Sequence, residues 1–190
     1  MQIEYEIAFT KIDRWNIVEN IKNLWWTCIQ KRTLMKRVAF DNPNTKKEKS
    51  YMRIRDEWNK ITCTYKEMIG GELSINSVKE LECEVSDFGV LKQIFNNMWI
   101  KEKAYQETYR EIWTVDNEIL FMIDERPGLE PFIEIEWKSE DIVKMYSEKL
   151  GFDYNDWIFW TVDEIYYKEL WLSHDYINSL PIITFENPPR

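Results

Sequence analysis

Two pairs of carboxylates at two-residue spacing open the question of chemistry: Glu4 and Glu6 in IEYEIAF, and Glu134 and Glu136 in FIEIEW. In an extended strand, residues two apart point to the same side. Each pair therefore projects two carboxylates from one face, with Ile3, Tyr5, Ile7 and Phe9, or Ile133, Ile135 and Trp137, on the other. The same parity aligns Arg53 with Arg55 in YMRIR, and Thr62 and Thr64 with Lys66 in ITCTYK. Gln106, Thr108 and Arg110 share a face, as do Glu80, Glu82 and Glu84. Carboxylates are hard oxygen donors suited to Mg²⁺ or Mn²⁺, whereas Arg and Lys suit phosphate oxygens, Arg through its bidentate fork and Lys as a compact charge. A metal-accompanied polyphosphate would satisfy both sets.

An ordinary half-buried sheet, packed on helices and wetted on its charged side, gives the same alternation. If the sheet instead closed into a barrel, the helices would cover its apolar outside and the charged faces would line an interior in need of a charged ligand.

The elements that must position these residues are strands broken by a few helices. Asp13 is a candidate N-cap for an amphipathic helix whose apolar residues, Trp15, Val18, Ile21, Leu24, Trp25 and Ile29, recur every three or four positions. A strand TLMKRVAF follows, then a polar loop DNPNTKKEKS, a hairpin made of SYMRIRDEW and KITCTYKEM, a Gly-Gly turn and a strand VKELECEVS. Ser86 is a candidate cap for a helix through DFGVLKQIFNNMW. Three more strands, KAYQETYREIW, EILFMID and PFIEIEW, lead to a helix capped by Ser139 and ended by Gly151, and Thr161 with Glu164 offers a capping box for one more. The tail LPIITFENPPR adds a short apolar segment. About eight strands, interrupted by helices rather than alternating with them, predict an antiparallel α+β domain.

At 190 residues the chain suits one domain with a substantial core. The net charge of −9 argues against a broad nucleic-acid or anionic-lipid surface. Cys28, Cys63 and Cys83 lack metal-ligand spacing and are odd in number, as reduced packing cysteines would be. His174 is the lone histidine, which leaves little for a Ser-His-Asp or Cys-His unit. Acidic residues stand where a signal peptide would be basic then apolar, and no run approaches eighteen apolar residues, so a soluble, cytoplasmic protein is expected.

The order of motifs EYEIAF, YMRIRDE, ITCTYKE, YQETYREIW, IDERPGLEPFIEIEW and LGFDYNDWIF resembles the CYTH superfamily, the triphosphate tunnel metalloenzymes, and in particular its bacterial class IV adenylyl cyclase-like members. The resemblance runs from about residue 3 to 167, and the whole of 1–190 is taken as a single CYTH domain. It implies an eight-stranded antiparallel β-barrel flanked by helices, a tunnel that binds a triphosphate. Glu4, Glu6, Glu134 and Glu136 would be metal-site residues, with Asp124, Glu82 and Glu84 as additions. Arg53, Arg55, Lys66 and Arg110 would grip phosphate, joined by Arg37 and Lys103. Glu4, Glu6, Lys66 and Arg110 would carry the reaction. The expected cofactor is Mg²⁺ or Mn²⁺, the expected partner a triphosphate-containing small molecule rather than nucleic acid or membrane, and the expected state a monomer or homodimer.

The sequence departs from the family's Glu-x-Glu-x-Lys at Ala8, where the lysine would help to orient phosphate and attacking water, and Gln106 stands where many members are basic. Three activities remain open: hydrolysis of inorganic or organic triphosphate, conversion of ATP to cyclic AMP and pyrophosphate, and binding without turnover.

Overall fold

In the computed structural model the described residues are 2–41, 50–68, 78–115, 119–154 and 162–190. The order is β1 (Gln2–Phe9), α1 (Arg14–Asn23), β2 (Thr27–Asp41), β3 (Ser50–Asp56), β4 (Ile61–Met68), β5 (Val78–Val85), α2 (Phe88–Asn97), β6 (Lys101–Val115), β7 (Ile119–Glu125), β8 (Phe132–Trp137), α3 (Glu140–Lys149), α4 (Val162–Leu170), α5 (His174–Ser179) and β9 (Ile182–Ile183). The sheet runs β2-β3-β4-β5-β1-β8-β7-β6, and β6 returns to pair with β2 from Asp41↔Lys101 to Thr27↔Thr114. Eight antiparallel strands thus close on themselves, the barrel alternative rather than the open sheet. β9 adds a short parallel pairing to β6, through Tyr105↔Ile182 and Gln106↔Ile183.

Closure sorts the alternating strands. On the outside, Ile7, Phe9, Phe121, Ile133 and Ile135 form a core with Ile17, Val18 and Ile21 of α1 and Val143 of α3. Val38, Phe40 and Ile54 pack against Phe95 of α2 in a second cluster. Each such side chain contributes roughly 1.5–3 kcal/mol when fully buried. A third, smaller cluster of Tyr166, Ile177 and Ile183 holds the C-terminal helices together. The charged faces are left inside.

Local signals explain most boundaries and some corrections. Asp13 caps α1, accepting from the amides of Trp15 (3.0 Å) and Asn16 (3.2 Å). That helix stops at Asn23, short of the expected Trp25 and Ile29: Trp25 adopts a left-handed φ of 61°, and the chain enters β2 at Thr27. Trp26, beyond the turn, is buried and stacks on Phe121 at 4.1 Å, so a tertiary contact outweighs continued helical spacing. The cap of α2 is Asp87, one residue after the expected Ser86, accepting from Val90 N at 2.8 Å. Ser139 stands at the N-cap of α3 without a side-chain bond, and Gly151 follows its end at φ 89°. The loop at 42–49, the Gly-Gly turn and Thr161 of the capping box lie outside the described residues. Among the described residues no helix is long and apolar enough to cross a membrane.

Candidate functional site

The barrel encloses a cavity of about 970 Å³. Strand register decides which charges meet inside it. On β2, β3 and β4, Arg37 lies opposite Arg55, Ala39 opposite Arg53, and Arg53 and Tyr51 opposite Thr64 and Lys66. On β1, β8 and β7, Glu6 lies opposite Glu136, Ala8 opposite Glu134, and Asp124 opposite Arg110 of β6. A basic wall and an acidic wall thus share one interior, with Arg110 on the acidic side.

In the acidic wall, Arg110 clamps Asp124 bidentately, Nε to Oδ1 and Nη2 to Oδ2 at 2.6 Å each, and Nη2 also reaches Glu134 Oε2 at 2.6 Å. Asp124 is fully buried. Burial would lower the Arg110 pKa, but Asp124 and Glu134 outweigh it and hold the guanidinium charged. Glu134 fares otherwise: burial, with the nearby charges of Asp124 and Glu6, pushes its carboxyl up to about 7 despite Arg110. The two directions agree once the clamp is divided unequally. Asp124 takes both arms of the guanidinium and Glu134 shares one.

The basic wall is crowded. Burial, then the charges of Arg53 and Arg110, bring Arg55 down to about 10 although Glu57 lies 2.7 Å away. Arg37 is lowered well below its ordinary value by burial and by Arg126. Lys66 sits 2.5 Å from Glu80; burial would lower its pKa, but Glu6, Tyr51 and Glu80 hold it up. The reach of Glu6 to Lys66 brings the two walls within electrostatic range of each other.

Glu6, Arg37, Arg53, Arg55, Lys66, Glu82, Lys103, Arg110, Asp124, Glu134 and Glu136 all border the cavity, as does Ala8 at the position of the missing lysine. Lys103 is at the exposed margin, donating to Asn178 at 3.2 Å. Backbone pairing places Glu4 opposite Val78. Two metal candidates stand elsewhere than expected. Glu82 belongs with the basic wall, accepting from Thr64 Oγ1 at 2.8 Å and lying 3.8 Å from Arg53. Glu84, near the end of β5, is exposed and outside the lining.

Sequence reasoning missed three groups. Glu80 shares the inward parity of Glu82 and meets Lys66 directly. Glu57, 4% exposed, accepts from Arg55 and Thr62 at the hairpin. Arg126, 7% exposed, lies beyond β7 in a turn, where strand parity gives no signal.

The acidic wall fits a hard divalent ion in the kind of donor it offers. As they stand, no three His, Cys, Asp or Glu side chains among the described residues are disposed to hold one, and Arg110 takes both oxygens of Asp124 and one of Glu134.

The eight strands thus form a closed antiparallel barrel whose basic and acidic walls face one cavity. Residues 38–149 match the CYTH domain, and the chain belongs to that family. No curated protein matches it. Among solved structures, a conserved hypothetical protein from Pyrococcus furiosus superposes with a TM-score of 0.70 at 21% identity, covering 85% of this chain and 99% of its own. A candidate adenylate cyclase from Vibrio parahaemolyticus gives 0.73 at 12% identity, covering 86% and 97%. A Hippeastrum candidate adenylyl cyclase, described as having a dominant triphosphatase activity, gives 0.58 at 16%, covering 93% and 100%. At such identities the likeness shows the fold alone.

Proposed function

We propose that this chain binds a triphosphate inside the barrel and hydrolyses it with the help of a divalent metal ion. The observation that carries the reading is the meeting of Arg37, Arg53, Arg55 and Lys66 with Glu6, Asp124, Glu134 and Glu136 around one cavity. A purely structural interior would not concentrate charges whose burial costs several kcal/mol each.

In this reading Arg53, Arg55 and Lys66 bind the phosphate chain and fix its line across the tunnel, Arg55 held in aim by Glu57 and Lys66 by Glu80. Glu6, Asp124, Glu134 and Glu136 would hold Mg²⁺ or Mn²⁺, which would supply neutralisation of charge developing on the phosphate oxygens. Arg110 is within reach of the same charge and adds a fixed donor. With Ala8 in place of a lysine, orientation of the phosphate falls to these arginines. Buried walls limit the water that reaches the chain of phosphates.

The test is chromatographic analysis of products from inorganic triphosphate and from ATP, with Mg²⁺ and with Mn²⁺, beside a Glu6→Gln, Glu134→Gln double variant. Orthophosphate formed by the wild type and lost in the variant supports hydrolysis. Cyclic AMP with pyrophosphate would replace it by a cyclase. Absence of turnover together with thermal stabilisation by triphosphate would leave a binding module, and absence of both would refute the triphosphate reading.

A further inference from the structure

Compensation along the basic wall is uneven. Arg55 has Glu57 at 2.7 Å, Lys66 has Glu80 at 2.5 Å, and Arg53 has Glu80 and Glu82 at 3.9 and 3.8 Å. Arg37 and Arg126 have no carboxylate partner among the described residues. Arg37 Nε donates to the neutral Gln106 Oε1 at 2.7 Å, and Arg126 Nε, like Arg53 Nε, is buried with no hydrogen-bond partner among the described residues, but Arg126 has no carboxylate near it of the kind Arg53 has in Glu80 and Glu82. A buried guanidinium left in this way is costly unless an anion completes it.

The two lie at the same end of the interior. Gln106, the partner of Arg37, pairs in register with Ile183 of β9. Arg126 sits 5.9 Å over the Phe132 ring, and the next residue, Pro127, accepts the Tyr166 hydroxyl at 2.7 Å, which ties the turn to α4. Burial raises the Tyr166 phenol to about 12 against the opposing charges of Arg126 and Arg37, so all three groups are neighbours. Val162, Tyr166 and Ile183 wall the cavity here, under the small C-terminal core. Further along β6 and β7, past Arg110, the lining becomes Ile112, Leu120 and Met122.

We infer that Arg37 and Arg126 form the seat of the terminal phosphate, so that the triphosphate lies with its free end under the C-terminal helices and any organic group toward Ile112, Leu120 and Met122. The inference rests on the tunnel reading above and gives it a direction. A terminal phosphate carries close to two negative charges at neutral pH, against one on each inner phosphate, and so matches the end where two guanidinium groups have no carboxylate within ion-pair distance among the described residues. The inner phosphates fall to arginines and a lysine already shared with Glu57, Glu80 and Glu82. An organic group on the terminal phosphate would meet Val162 and Tyr166.

Titration calorimetry would compare inorganic triphosphate, the β,γ-imido analogue of ATP, and diadenosine triphosphate, which carries an organic group at both ends. The expected result is binding of the first two by the wild type and diadenosine triphosphate weaker by about a hundredfold. Arg126→Gln should weaken inorganic triphosphate about ten- to a hundredfold, the range of a lost charge-assisted hydrogen bond, with partial recovery in Arg126→Lys. Diadenosine triphosphate bound as tightly as the ATP analogue, or unchanged affinity in a folded Arg126→Gln, would overturn the assignment while leaving triphosphate binding intact. Should Arg126→Gln not fold, the wild-type comparison decides. Failure of the wild type to bind any of the three would refute the proposed function and this inference with it.

Discussion

Glu134 is a carboxylate whose ionisation the folded state resists. Burial and the neighbouring charges of Asp124 and Glu6 raise it from an ordinary 4.5 to about 7. Below about pH 4.5 it is protonated whether the chain is folded or not, and contributes no pH dependence. Between there and pH 7 the unfolded chain releases the proton and the folded chain keeps it, so stability falls as pH rises. Above 7 both forms are ionised and the loss is complete. The difference between 4.5 and about 7 corresponds to about 3 kcal/mol at 1.36 kcal/mol per pH unit, an upper figure given the shared Arg110 clamp. Glu134→Gln removes the titration while keeping an oxygen to accept from Arg110. Urea unfolding of both proteins in chelator from pH 4.5 to 8 should show near-equal stability at the acid end and a growing advantage for Glu134→Gln, by about 3 kcal/mol at most, at pH 8. The difference between variants cancels the other titrating groups. A constant difference, or one that shrinks with pH, would refute the reasoning.

Other outcomes follow from the same contacts. Arg110→Gln frees Asp124 and Glu134, so Mn²⁺ alone should bind about tenfold tighter than to wild type, read by electron paramagnetic resonance of free Mn²⁺ without triphosphate. Phe121→Ala, at a fully buried ring stacked on Trp26, should cost about 3–5 kcal/mol in chemical unfolding. Trp25→Gly should gain about 1 kcal/mol, measured the same way, because a 93% exposed tryptophan at φ 61° holds a left-handed position that glycine occupies without strain.

Period-two alternation made the inner faces legible: Glu6, Arg53, Arg55, Lys66, Arg110, Glu134 and Glu136 follow from parity, and all border the cavity. Closure did not follow from it. The β2–β6 pairing joins residues some sixty to ninety positions apart, from Asp41↔Lys101 to Thr27↔Thr114, and local spacing is silent on such contacts. Parity also cannot say how far along a strand the cavity extends, hence Glu84, nor does it operate in a turn, hence Arg126. The end of α1 was hidden for a different reason. Where a helix closes on a left-handed residue that residue is usually glycine, and here a tryptophan holds the position. Ser86 and Asp87 are both good caps in sequence, and only the bond to Val90 N separates them.

The interior is a set of exchangeable partnerships rather than a waiting charge. Arg55 leans on Glu57, Lys66 on Glu80, and Arg110 on Asp124 and Glu134. These pairs let the barrel fold around cations and anions that would otherwise stand unpaired in a low dielectric. In the proposed function a triphosphate would therefore compete for each cation, and a metal ion for Asp124 and Glu134. Affinity is then a difference between two sets of ion pairs, and the two ligands should favour each other: phosphate drawing Arg110 away uncovers the carboxylates, and metal on the carboxylates releases Arg110 toward phosphate. That coupling is reciprocal, so the factor by which triphosphate tightens Mn²⁺ must equal the factor by which Mn²⁺ tightens triphosphate. In Arg110→Gln the share of the factor that passes through the guanidinium should vanish, leaving only direct attraction between metal and phosphate.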